Sequence, residues 1–321
     1  MVTFVVRRLL YLIPVLVATS LLIFTFVSVS GDPLTQVRVI PNVEQSEIER
    51  IIEVNHLDRP LLVQYGYWVK DALTNKFGNT LLSEEPIWPD LKRALGNTLQ
   101  LIVLAEIFAV LIAIGVGVVS AVKQYSVFDY TSTTLSFVGF SIPVFWFALI
   151  LQVVFTNIYL NYGVRIFYTS QLSSPDPANF WIDRLQHLAL PVITLTLLNV
   201  AQFSRYMRAS MLEVINSDYV RTARAKGLRE RNVVMHHAFR NALIPLVTVV
   251  ALDFGALFGG AFATETVYVL DGMGPYFLRA LGNRDVYPLM AWLMISSIIL
   301  VLFNLLADVI YGWLDPRIRY D

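Results

Sequence analysis

The stretch DYVRTARAKGLRERNVVMHHAFRNALIP, residues 218–245, decides how this chain is read. It is polar and basic, and it lies between two apolar segments. Ser217 or Asp218 supplies a cap for a short helix over YVRTARAK, and Gly227 supplies its stop. Arg221 and Arg224 stand three residues apart, on one face of that helix. Ala223 and Ala225 are small enough to let another surface approach the backbone. A second helical stretch, residues 232–242, leads to Pro245 and the next apolar run. A loop held against anionic lipid headgroups accounts for the charge. It does not account for a capped, small-residue helix closed by glycine, which predicts a docking element for a partner.

The rest of the chain is apolar. Of 321 residues, 56% are hydrophobic and 15% charged, with a mean hydropathy of +0.61. Soluble domains carry about 25% charged residues, so this is an all-α, polytopic membrane protein. Cysteine is absent, which excludes disulfides, thiolate metal sites and cysteine nucleophiles. Spans need roughly 20 apolar residues. Six segments qualify, at residues 9–29, 97–122, 133–160, 188–207, 243–264 and 288–313. Pro143 predicts a kink in the third, while Pro245 and Pro288 fall near the starts of the fifth and sixth, where a missing N–H costs least.

Six spans put both termini on one side. With the N-terminus inside, the inner segments carry 13 of the 24 basic residues but only 6 of the 24 acids. The outer segments hold 11 basic and 15 acidic residues over roughly twice the length. The positive-inside rule therefore predicts a cytoplasmic-membrane protein with both termini and the basic insert in the cytoplasm. The first apolar run is too long for an ordinary signal peptide. The expected division is residues 1–29 as the first span, 30–96 as an extracytoplasmic subdomain, and 97–321 as a five-helix core carrying a cytoplasmic loop at 208–242. Within the outer segment, Val43, Ile48, Ile51, Ile52 and Leu57 recur at helical spacing among four glutamates, which predicts an amphipathic helix. It serves either as a cap or as a docking surface.

Three acids fall inside spans: Glu106, Asp253 and Asp308. A charge at mid-bilayer costs about 2.5–3.5 kcal/mol on insertion scales, and no mid-membrane Lys or Arg is available to offset it. Glu106 and Asp253 either line a translocation path or form packing hydrogen bonds. Asp308 reads as structural. Gly255, Gly259 and Gly260 form a small-residue face for helix packing. Phe137, Phe140, Phe145, Trp146 and Phe147 read first as lipid-facing or core aromatics. The four histidines lack metal spacing, and no HExxH, GxSxG or GxxxxGK[ST] occurs, so no hydrolase or phosphate-loop chemistry is supported.

Collinear motifs sharpen this. RRLLYLIPVL (7–16), SGDP (30–33), LDRPLLVQYGYWV (57–69), GNTLQL (96–101), FSIPVF (140–145) and NLLADVIYGWLDPRIRY (304–320) flank the basic insert. Together they resemble the dipeptide/oligopeptide group of binding-protein-dependent ABC importer permeases, first-subunit type. The broad importer pattern has a glutamate where Arg221 stands, ahead of Thr222, Ala223 and Gly227. That departure, and the longer run from Gly227 to Pro245, resemble the peptide-group version.

The resemblance implies a six-helix type I importer permease fold and a coupling surface of Asp218, Tyr219, Arg221, Thr222, Ala223, Arg224, Ala225 and Gly227. It implies an outer gate around ETVYVLDGMG, including Glu265 and Asp271. It implies, as partners, a second permease, two cytoplasmic ATPase domains that bind ATP and Mg, and an extracytoplasmic substrate-binding protein. No cofactor, metal or nucleic acid is expected on this chain. The competing readings are a gradient-driven carrier using Glu106 or Asp253, a membrane scaffold, or the same importer class handling nickel complexes, glutathione or oligosaccharides.

Overall fold

The computed structural model describes residues 2–31, 33–39, 44–81 and 83–314. The described elements are helical, with one isolated bridge between Asn79 and Pro86. In order they are α1 Val2–Ser30, α2 Thr35–Val39, α3 Gln45–Val54, α4 Leu61–Thr74, α5 Ile87–Val122, α6 Val127–Ser141, α7 Val144–Tyr162, α8 Phe180–Ile215, α9 Asp218–Ala225 and α10 Glu230–Asn232. A π-helical turn, Val233–Ala238, then leads into α11 Phe239–Val267, α12 Met273–Gly282 and α13 Val286–Leu314. Six described stretches are long and apolar enough to cross a membrane: Val6–Val29, Ile87–Val122, Val144–Tyr162, Phe180–Ile215, Glu230–Phe254 and Val286–Ile310.

The six expected spans are all present, with two corrections. The third is not one kinked helix. Ile142 and Pro143 are extended (ψ 125° and 132°), so α6 ends at Ser141 and α7 starts afresh at Val144. Proline disfavours α geometry in the residue before it, which breaks the helix there. The fifth helix does not begin at Pro245. It begins at Phe239, and Pro245 lies inside it, leaving the Asn241 carbonyl without its i+4 donor. Pro288 sits in the first turn of α13, as expected. Helices α5 and α8 have 36 residues each. At 1.5 Å per residue they reach about 54 Å, well beyond a hydrocarbon core of about 30 Å.

The chain forms two compact units. One comprises Val2–Thr98 with Asp271–Leu302, and so includes the outer segment expected at residues 30–96. In it, Ile51 of the amphipathic α3 is buried with Leu34, Val37 and Leu81, while Ile48, Ile52 and Leu57 pack against them. The Val43 position lies outside the described residues. Phe24 of α1, Trp68 of α4 and Met290 of α13 form a second cluster.

The other unit comprises Leu99–Leu270 with the chain from Phe303. Helix α8 is its centre, buried along most of its length. Lipid tails are as apolar as leucine, so close approach and hydrogen bonds hold such helices together. A Cβ added at Gly117 of α5 would meet Met207 Cβ at 2.6 Å and the Ser204 carbonyl at 2.9 Å. Ser136 meets Ser204 at 3.1 Å, Ser120 meets Ser132 at 2.7 Å, and Thr196 Oγ1 donates to the Ala105 carbonyl at 3.1 Å. The packing of Gly255, Gly259 and Gly260 lies outside the described side chains.

Candidate functional site

Helix α9 is short, and its two faces differ sharply. Val220 is fully buried and Ala223 is 6% exposed. Both join a cluster with Met207 and Met211 of α8, Val233, Val234 and Ala238 of the π-helical turn, and Ala242 and Leu246 of α11. Asp218, Arg221, Thr222 and Ala225 fall at i, i+3, i+4 and i+7, and all are exposed. Tyr219 is exposed beside them, and its hydroxyl accepts from Asn241 Nδ2 at 2.8 Å. The small Ala223 therefore serves an approach inside the chain, and Ala225 is the small residue left on the outer face.

The caps differ from expectation in one respect. Ser217 has N-cap backbone geometry, yet its hydroxyl donates to the Val214 carbonyl at 2.6 Å and accepts nothing from α9. It stitches the end of α8 to the start of α9. At the other end Gly227 adopts φ +76°, and its N–H donates to the Arg224 carbonyl at 2.9 Å. Glycine is the residue that takes this left-handed backbone without a Cβ penalty.

Arg221 and Arg224 have different roles. Arg221 is 70% exposed, with only a 3.9 Å approach to Asp218. Arg224 turns back to Glu230, through Nη2–Oε1 at 2.7 Å and Nε–Oε2 at 3.1 Å. Sequence reasoning missed Glu230 and Asn241. A single acid six residues beyond an arginine, across a glycine turn, gives no periodic signal.

Glu106 is 2% exposed. Asn199 Nδ2 of α8 donates to its Oε2 at 2.9 Å, while Oε1 is buried without a partner among the described residues. Asp253 of α11 is partly exposed and within electrostatic reach of Glu106. The structure thus pairs Glu106 with Asn199, an unanticipated partner, and leaves Asp253 within electrostatic reach but without a shown contact to either. Glu265 is 1% exposed within α11, and its carbonyl accepts from Leu270 N at 2.8 Å. Asp271 belongs to the other unit, where its carboxylate takes Arg93 at 2.7 Å and Arg279 at 3.1 Å.

A further ion pair braces the unit that carries α9. Asp129 of α6, 2% exposed, accepts from Arg208 Nε at 2.6 Å and Nη2 at 2.8 Å, and from Tyr125 N at 3.0 Å. The Arg208 hydrogen bonds hold its carboxyl below the usual carboxylate range. The S-x-x-D pattern of Ser126–Asp129, where Ser126 caps α6 by accepting from Asp129 N, marks the helix start but not the Arg208 partner. Groups of three or more metal-ligating side chains are absent among the described residues.

The chain as a whole is similar to known transport proteins. The family model described as binding-protein-dependent transport system inner membrane component matches residues 113–320. The oligopeptide transport system permease protein AppB of Bacillus subtilis is 36% identical over 322 residues, covering 100% of each chain. The dipeptide transport system permease protein DppB of Alkalihalophilus pseudofirmus is 36% identical over 340 residues, again covering 100% of each. DppB of Escherichia coli is 34% identical over 338 residues, covering 100% of this chain and 99% of its own. Among solved structures, an amino acid ABC transporter crystallised with histidines aligns with a TM-score of 0.52 at 13% identity. It covers 70% of this chain and 94% of that one, and the likeness supports the shared fold alone.

Proposed function

We propose, from the premise that this chain belongs to the binding-protein-dependent transport system inner membrane components, that it is a permease subunit of an ATP-driven peptide importer. The carrying observation is the exposed stripe Asp218, Arg221, Thr222 and Ala225, backed by the buried Val220 and Ala223. A helix anchored on one face and free on the other can take a push from outside and pass it to what it is anchored in. Here the anchor includes α8 and α11.

The complete importer pairs this chain with a second, homologous permease, two cytoplasmic ATPase domains and an extracytoplasmic binding protein. ATP and Mg sit on the ATPase domains, because this sequence has no phosphate-binding loop. Closure of the ATPase pair moves α9, and the spans switch between inward- and outward-facing states. Both termini and the α9 loop lie in the cytoplasm, on the charge balance of the loops. Asp253, partly open, contributes to the path and meets cationic ends of peptides, with Glu106 behind it. Glu265 and Asp271 belong to the outer gate region.

The test is uptake by the reconstituted complex. Arg221→Glu and Ala225→Glu alter only exposed atoms of α9. They are expected to lower peptide uptake at least about tenfold, a coupling loss of about 1.4 kcal/mol, with membrane insertion unchanged. Wild-type uptake in both variants rejects α9 as the coupling element. Uptake by the chain alone, without ATPase subunits, rejects the importer assignment.

A further inference from the structure

A cavity of about 540 Å³ opens between α1, α4 and the first half of α13, its lining residues all within the unit built from Val2–Thr98 and Asp271–Leu302. Ligand pockets in proteins run from about 300 to 1,000 Å³. Leu16, Val17, Leu73 and Ile298 are among its apolar walls. Two of those three helices, α1 and α13, are spans by length and hydropathy.

Polar groups interrupt the apolar lining at Ser20, Tyr65, Trp68, Lys76 and Trp88, and two of them matter most here. The first is Trp68, only 5% exposed, whose indole N–H is buried with no acceptor among the described residues. An indole nitrogen is a donor only, and leaving a buried donor unsatisfied costs about 1–3 kcal/mol. The ring is fixed against Phe24 at 5.8 Å and Tyr65 at 6.2 Å, and the Tyr65 hydroxyl is already engaged with Ser20 Oγ at 2.8 Å. The second is Lys76, in the cavity wall just past the end of α4, with no carboxylate in ion-pair range among the described residues. Lys76, Phe77 and Gly78 take φ values of 51°, 74° and 72° in succession. Phe77 is stacked on Trp88 at 6.4 Å, which pins that left-handed run.

The cavity thus offers an apolar body, a buried unanswered donor and one cation. Among the described residues its lining contains no carboxylate. A peptide would bring an ammonium and backbone N–H groups that these walls leave unanswered. A ligand with apolar chains, acceptor oxygens and a negative charge answers all three features. We propose that this cavity is a binding site for an anionic phospholipid. Its acyl chain lies along the α1 and α13 walls, an ester carbonyl accepts from Trp68 Nε1, and its phosphate pairs with Lys76.

Native mass spectrometry of the detergent-purified protein tests this with two probes, dioleoylphosphatidylglycerol and uncharged dioleoylglycerol. Trp68→Phe keeps the ring packing and removes the donor. It is expected to weaken binding of both probes about fivefold. Lys76→Ala, at an exposed turn, is expected to weaken the phosphatidylglycerol about fivefold and leave the diacylglycerol unchanged. Unaltered phosphatidylglycerol binding in Lys76→Ala overturns the proposal even where Trp68→Phe fails to fold, and equal weakening of both lipids by Lys76→Ala overturns the phosphate contact.

Discussion

Arg224 grips Glu230 in a two-pronged ion pair, at 2.7 and 3.1 Å, across the turn that Gly227 makes. The pair closes the loop that carries α9, and a third, longer contact runs from Arg224 Nη1 to the Ile215 carbonyl at 3.4 Å. Its two side chains are 37% and 59% exposed. Ion pairs this wet are worth about 0–1 kcal/mol. The firm seat of α9 is therefore apolar, in Val220 and Ala223, and the ion pair selects its direction.

That ranking is measurable. Val220→Ala removes methyl groups from a fully buried position and is expected to cost about 2 kcal/mol of stability. Arg224→Ala is expected to cost less than about 1 kcal/mol. Thermal unfolding of the purified protein in detergent gives the order. A larger loss in Arg224→Ala than in Val220→Ala means that the ion pair, and not the apolar seat, holds the helix.

Gly227 allows a second graded comparison. Nothing lies within 4 Å of a Cβ built there, so substitution costs come from the backbone at φ +76° alone. Asparagine tolerates this region, alanine loses about 1–2 kcal/mol, and proline cannot reach it. Gly227→Asn is expected to keep most uptake activity, Gly227→Ala to lower it, and Gly227→Pro to abolish it. Equal uptake in the asparagine and proline variants contradicts a role for the left-handed turn.

The residues that could be read from sequence share one property: their signal is local or periodic. Gly227 announced a helix stop, and Ile48, Ile51 and Ile52 announced the face α3 buries. The span count followed from hydropathy because a bilayer demands one length of apolar helix. Hydropathy runs straight through Ile142–Pro143, so the sequence predicts a kink there where the helix in fact breaks. The helical stretch expected over residues 232–242 is present, but it runs into the fifth span without a break, because the apolar run starts near Pro245 while the helix itself starts earlier, at Phe239. The inward turn of Ala223, the Asn199–Glu106 contact and the Trp68 cavity all depend on which helices meet. One sequence without tertiary contacts does not encode that legibly.

Asp129 and Arg208 give the fold a pH dependence with a definite sign. The folded carboxyl titrates below its unfolded value, because Arg208 hydrogen-bonds its ionised form. The pair's contribution is complete above the unfolded carboxyl value, about pH 4, and is lost as pH falls through the folded one. Melting temperature is expected to drop on acidification below about pH 4, and Asp129→Asn is expected to flatten that drop. Arg208→Ala leaves a buried carboxylate unpaired and is expected to cost about 3 kcal/mol at neutral pH. The double variant, Arg208→Ala with Asp129→Asn, recovers part of that loss. An acid profile identical in wild type and Asp129→Asn assigns the titration to another group.

Gly117 sets how closely α5 can approach α8. A methyl group there would sit 2.6 Å from Met207 Cβ and 2.9 Å from the Ser204 carbonyl. Neither atom is the yielding end of a long side chain, so one helix must move. Overpacking of this kind costs about 1–3 kcal/mol. Two residues earlier, Gly115 has nothing within 4 Å of its would-be Cβ. Gly115→Ala in the isolated chain is expected to be neutral or to stabilise by up to about 1 kcal/mol, because alanine loses less backbone freedom in a helix. Gly117→Ala is expected to lower the melting temperature and to spread the Ser136–Ser204 contact that spans α6 and α8. A cysteine pair at positions 136 and 204 reports that spreading as slower oxidative cross-linking. Equal melting temperatures and equal cross-linking rates for the two glycine variants would mean that α5 and α8 are not held at the separation Gly117 permits.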